Sequence, residues 1–149
     1  MSDGAERGVQ MQTMNDKAAV TREEFLFLAR ESARGRFANA AANRAYYCLY
    51  QALVAEFERL GRQPSDFAQP DPRHPQKWPH HVILQNCTVV GVARREKGTV
   101  EYAWELRVKA DYMPAPVLEA EIASLAQAVP PLLEALGVAP RKTGGSVPQ

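Results

Sequence analysis

Apolar residues recur along most of this chain at three- and four-residue intervals, the mark of helices with one buried face. The pattern is strongest from Asn39 to Leu60, with Gly61 as its natural stop. Tyr46, Tyr50, Leu53, Phe57 and Leu60 form one stripe there, and Ala41, Ala45, Cys48, Ala52 and Ala55 form a second that lets another helix approach closely. Such a helix has partners on at least two sides. An earlier helix is predicted to begin at Thr21, because Thr21 and Glu24 satisfy the S/T-x-x-E capping box, and it carries Phe25, Leu28, Ala29 and Ser32 on one side. A later one is predicted from Thr99 to Tyr112, with Ala103, Leu106, Ala110 and Met113 on its apolar face. In the last, Leu118, Ile122, Leu125, Val129, Leu132 and Leu136 alternate steps of four and three, the seam of a bundle helix. Pro116 suits its first position, Glu119 and Glu121 its positive end, and Pro130 and Pro131 predict a kink or restart.

Two stretches break the period. Residues 62–79 hold five prolines, each lacking an N–H and biasing its predecessor away from helix, and are predicted to be an excursion from the bundle. The run from His80 to Arg95 is rich in valine and reads as strand or short helix. With no second strand to pair with, its backbone groups would stay unsatisfied, so helix is predicted. Residues 1–20 read as a disordered polar arm and 137–149, rich in Pro, Gly and Ser, as a disordered tail. The expected fold is therefore all-α: a four- to five-helix up-and-down bundle over residues 21–136.

Composition narrows the function only by exclusion. An apolar fraction of 46% and a net charge of +1 describe an ordinary globular chain, so nucleic-acid binding would need a local cluster of cations. Cys48 and Cys87 make no C-x-x-C pair and read as reduced thiols, and neither a secretory leader nor a span of ~20 apolar residues is present, so a cytoplasmic, non-membrane protein is expected. The three histidines, His74, His80 and His81, have no His or carboxylate at helical i,i+4 spacing, and the common phosphate-loop, dinucleotide and nucleophile-elbow motifs are missing. Neither metal nor cofactor is expected. Arg94, Arg95 and Lys97, interrupted by Glu96, read as a solvated turn.

What remains is a polar seam. Arg44, Tyr47 and Gln51 follow one line of the second helix, and Trp104, Arg107 and Asp111 follow one line of the fourth. One reading pairs Arg44 or Arg107 with Asp111 to fix helix register. The other lets both arginines line a groove for phosphate or nucleotide, with Tyr47 or Trp104 stacking a base and His80 or His81 supplying acid or base for phosphodiester cleavage. The two readings differ in whether the guanidinium groups are accessible.

The stretch N-R-A-Y-Y-C-L-Y-Q-A (Asn43–Ala52), followed much later by L-R-V-K-A-D-Y (Leu106–Tyr112), resembles the HEPN family. The similarity is to an uncharacterised prokaryotic branch with S-R-A-Y-Y-A on one helix and R-x-x-A/G-D-Y on another. P-H-H-V (Pro79–Val82) stands where that branch has a histidine opening a helix, and the resemblance spans roughly residues 22–136. It implies a helical bundle that dimerises and binds RNA or a nucleotide, as a metal-independent ribonuclease or toxin encoded beside a nucleotidyltransferase partner, or as a non-catalytic scaffold. It also implies that Arg107 takes the catalytic arginine's place and that Tyr112 matches a tyrosine modified in some toxins. The R-x4-6-H pair of the ribonuclease members has no counterpart after Arg107; Arg73 and His80 meet the spacing only across the proline-broken stretch.

Overall fold

The second predicted helix becomes the hub of the molecule. In the computed structural model, which describes residues 13–34 and 37–138, five α-helices and two short 3-10 turns follow one another, with no strand among the described residues. They are α1 (Met14–Ser32), α2 (Ala38–Arg59), α3 (His80–Asn86), α4 (Arg94–Tyr112) and α5 (Glu119–Ala135), so the all-α bundle expected from the sequence is the fold. All four other helices contact α2. Its alanine stripe explains how: Ala41, Ala42, Ala45, Cys48 and Ala52 are sealed from solvent and let α1 lie close, while Tyr46, Leu49, Leu53 and Phe57 fill the core. Leu60 ends the stripe outside the core, 46% exposed, and Gly61 turns the chain at φ +75°.

Helix boundaries differ from the sequence expectation where short polar residues offer competing caps. The first helix starts at Met14, not Thr21: the Thr13 hydroxyl accepts from the Asp16 N–H at 3.0 Å, and the Asp16 carboxylate accepts in return from the Thr13 N–H at 3.4 Å. Thr21 lies inside the helix and donates its hydroxyl to the Lys17 carbonyl. Residues 14–20 of the expected arm are thus helix, capped by Thr13 and with Ala18 buried, and residues 1–12 lie outside the described part. Similarly α4 begins at Arg94, so Arg94, Arg95 and Lys97 form a first helical turn and not a loop. Pro116 lies outside α5, whose entry is closed by Glu121: its carboxylate accepts from the Leu118 N–H at 2.8 Å and from Lys109 Nζ on α4 at 3.0 Å. Leu118 is 57% exposed and does not join the seam; Ile122, Leu125, Val129, Leu132 and Leu136 do. Helix α5 continues through Pro130 and Pro131 without restarting. Of the expected tail, Val138 is buried and accepts from the Arg22 guanidinium through its carbonyl; residues 139–149 lie outside the described part.

The proline-rich excursion is pinned to α2. Phe57 stacks on Trp78 with ring centroids 4.8 Å apart and meets Phe67 edge-on at 5.4 Å, and the Tyr50 hydroxyl donates to the Trp78 carbonyl at 2.6 Å. The chain therefore returns to the bundle at a fixed place, and α3 starts against the tyrosines of α2. No helix of the described part is long and apolar enough to cross a membrane.

Candidate functional site

Arg107 projects from the middle of α4 into the α2–α4 interface. Its side chain is only 12% exposed and its Nε stands 2.9 Å from Asp111 Oδ2, one helical turn on. That N–H does not point along the contact, so the pair is an ion pair without an aligned hydrogen bond. The aligned bond runs from Nη2 to the Tyr47 hydroxyl on α2, at 3.1 Å. The guanidinium carbon also lies 5.2 Å from the Trp104 ring centroid, 5.4 Å from that of Tyr47 and 5.5 Å from that of Tyr112, within cation–π range of all three. Asp111 reaches α2 through Asn43, whose amide donates to Oδ2 at 3.4 Å. An ion pair inside one helix cannot set the register of two; here Arg107–Tyr47 and Asp111–Asn43 do so.

Beside this seam lies an aromatic cluster. Tyr46, Tyr47, Tyr50, His80 and Trp104 have ring centroids 4.9–6.1 Å apart along a chain of neighbouring pairs. At its centre the Tyr46 hydroxyl and His80 Nδ1 are 2.7 Å apart. Tyr46 is fully buried and has no other hydrogen-bond partner among the described residues, so its hydroxyl proton is satisfied only by donation to Nδ1. Burial, reinforced by Tyr50 and Tyr47, pushes the Tyr46 phenol far above its ordinary value, which keeps it a donor. Burial also lowers His80 from 6.5, and the charges of Arg107 and Lys77 lower it further. Neutral His80 then carries its proton on Nε2, and that N–H is the group left for a ligand.

His80 and Trp104 form the inner wall of an open cleft of about 450 Å³, rimmed by Asp71, His74, Lys77 and His81. All three histidines of the chain meet at this one place, and the excursion brings Asp71 and Lys77 there along with His74. Two successive turns hold the rim: the His74 N–H donates to the Asp71 carbonyl at 3.0 Å and the Lys77 N–H to the His74 carbonyl at 3.1 Å. The cleft thus offers an ammonium group, imidazoles, one carboxylate and an aromatic wall of two rings inclined at 32°. Among the described residues no group of His, Cys, Asp or Glu side chains is arranged to hold a metal ion.

Of the residues singled out from the sequence, Tyr47, Arg107, Asp111 and Tyr112 do come together, and His80 and His81 line the adjoining cleft. Arg44 does not join them. Its guanidinium, 43% exposed, turns to Glu24 on α1 at 3.9 Å and lines a different cleft with Phe27 and Leu28. The two arginines therefore do not line one groove, and Arg107 is held by its neighbours behind the cleft wall. Sequence reasoning missed Lys77, His74 and Asp71, and it took Tyr46 and Tyr50 for plain core although both hydroxyls are committed to His80 and the Trp78 carbonyl. The cue was there in the clustering of every histidine within or beside the proline-rich stretch. No family model matches this chain, and no curated protein does.

Proposed function

We propose that this chain is a HEPN-like RNA- or nucleotide-binding protein whose ligand occupies the His80–Trp104 cleft. The observation that carries the proposal is the sharing of His80 and Trp104 between the Arg107 seam and an open cleft that also holds Lys77. An aromatic wall suits the face of a base of any sequence, and Lys77 with the His80 Nε2–H suits a phosphate. Arg107 then acts as a positioning residue: it holds Trp104 and its charge adds to the field behind the wall. In the ribonuclease form of the proposal, His81 moves the proton and the neutral His80 donates an Nε2–H hydrogen bond to the charge that develops in the transition state, with no metal required. Homodimerisation, a nucleotidyltransferase-type partner and a toxin–antitoxin or defence setting belong to the same proposal and rest on the family resemblance.

A short single-stranded RNA followed by fluorescence anisotropy tests the binding. Lys77→Ala is expected to weaken it by a similar factor for every sequence and to reduce the salt slope by about one. Absence of binding at low salt, or a Lys77→Ala variant that binds like the wild type, would falsify it. Incubation with RNA in excess chelator separates the forms: no cleavage, or cleavage unaltered in His80→Gln, removes the ribonuclease and leaves the binder. The competing reading, a non-catalytic scaffold, is favoured by one observation, that Arg107 spends its fork on Asp111 and Tyr47 within the chain.

A further inference from the structure

A carboxylate is out of place on the rim of a cleft that binds polyanions, because it repels phosphate, yet Asp71 stands on that rim. Its geometry is set by the chain: Oδ1 accepts the Arg73 backbone N–H at 2.9 Å, and the Asp71 carbonyl closes the turn to His74 at 3.0 Å. The Arg73 Nε stands 3.7 Å from Oδ1 as an exposed ion pair, while Oδ2 has no hydrogen-bond partner among the described residues and the Asp71 side chain is 46% exposed. A carboxylate accepts and never donates, so it favours a ligand edge that presents two donors side by side for its two oxygens. Guanine offers such an edge, with N1–H beside the 2-amino group. On the edges of adenine, cytosine and uracil no two donor groups stand side by side, so the second carboxylate oxygen meets an acceptor or nothing.

We infer that the cleft selects guanine: Asp71 takes the N1–H and 2-amino donors, the ring lies against His80 and Trp104, and Lys77 meets a phosphate. This rests on the nucleotide-binding reading above and adds base selectivity to it. Nothing in the aromatic wall or the ammonium group distinguishes one base from another, so Asp71 is the specificity-determining residue.

Calorimetric titration of the full chain with GMP, IMP, AMP, CMP and UMP tests the inference. GMP is expected to bind roughly tenfold more tightly than AMP, the discrimination typical of a two-donor base contact. IMP, which lacks the 2-amino group, falls between them. Asp71→Asn is expected to bring GMP to the level of AMP while leaving AMP as tight or tighter, because asparagine keeps Oδ1 for the Arg73 N–H but replaces the second acceptor with a donor. An unchanged thermal melt certifies the variant, and the GMP–IMP comparison needs no variant at all. Equal affinity for all five nucleotides, a guanine preference that survives Asp71→Asn, or loss of AMP binding in that variant each overturns guanine selection and leaves nucleotide binding standing. Failure of every nucleotide to bind overturns the underlying reading as well.

Discussion

Replacing Arg107 by alanine removes a side chain that touches both helices of the seam and three aromatic rings at once. The partner Asp111 is 30% exposed and keeps its bond from Asn43, so it is not stranded as a fully buried carboxylate would be. The ~3–5 kcal/mol typical of breaking a buried pair is therefore an upper bound, and about 2 kcal/mol is the better figure. Tyr47 loses a charged donor but is itself half-buried, so water recovers part of that bond and the loss is about 1 kcal/mol. The cation–π contacts with Trp104, Tyr47 and Tyr112 share one guanidinium and do not add in full. The whole comes to about 3 kcal/mol, a large part of the 5–15 kcal/mol that typically holds a domain together. Urea denaturation at pH 7.5 measures it as a lower midpoint at unchanged slope. Arg107→Lys keeps the charge without the fork and is expected to recover less than half of the loss. A loss below about 1 kcal/mol for Arg107→Ala refutes the account of the seam. A loss of the expected size with unaltered RNA affinity under native conditions favours the scaffold.

Two further outcomes concern His80. Tyr46→Phe deletes the hydroxyl that donates to Nδ1; it is expected to cost about 1 kcal/mol and to raise the His80 pKa, because that bond favours the neutral ring. An imidazole NMR titration reads the sign, and a fall in the variant would mean that Tyr46 accepts from Nδ1–H instead. In the wild type, burial and then Arg107 and Lys77 hold His80 below 6.5, so the unfolded chain takes up the proton first. The His80 contribution to stability is whole above the unfolded value and declines as pH falls through the folded one; denaturation midpoints that stay level or rise between pH 7 and pH 5 in a His80→Gln-referenced comparison contradict it.

Periodicity located the helices because burial of one face is a local property of sequence, and α2 and the inner positions of α5 stand where their spacing puts them. Caps were less readable. Thr13 with Asp16 and Thr21 with Glu24 are both capping pairs, and the outcome depends on Ala18, whose burial against the rest of the core carries the helix back to Met14. Arg44 shows the limit for the site: it shares a helical line with Tyr47, but near the N-terminal end of α2 that line faces Glu24 of α1 and not α4. Which neighbour a stripe meets is decided by how the helices cross, and a single line of spacing does not contain that. The Tyr46–His80 bond is hidden for the same reason, since it joins residues 34 apart through a segment without a period.

That segment is what makes the cleft. Without prolines, residues 62–79 would have no reason to leave the bundle; with five of them the chain must leave, and Trp78 decides where it comes back. Its ring on Phe57 and its carbonyl on the Tyr50 hydroxyl fix Pro79, the residue before α3. His80 then has one place to go, against Tyr46, and the turns upstream carry Asp71, His74 and Lys77 to its side. Asp71, His74 and Lys77 of the cleft come from the irregular part of the chain, His80, His81 and Trp104 from helices, and the groups that hold them still come from the helices as well. Arg107 belongs with the holding groups: at 12% exposure it is positioned to keep Trp104 and Tyr47 in place, and its own contact with a ligand is not required for the cleft to bind one.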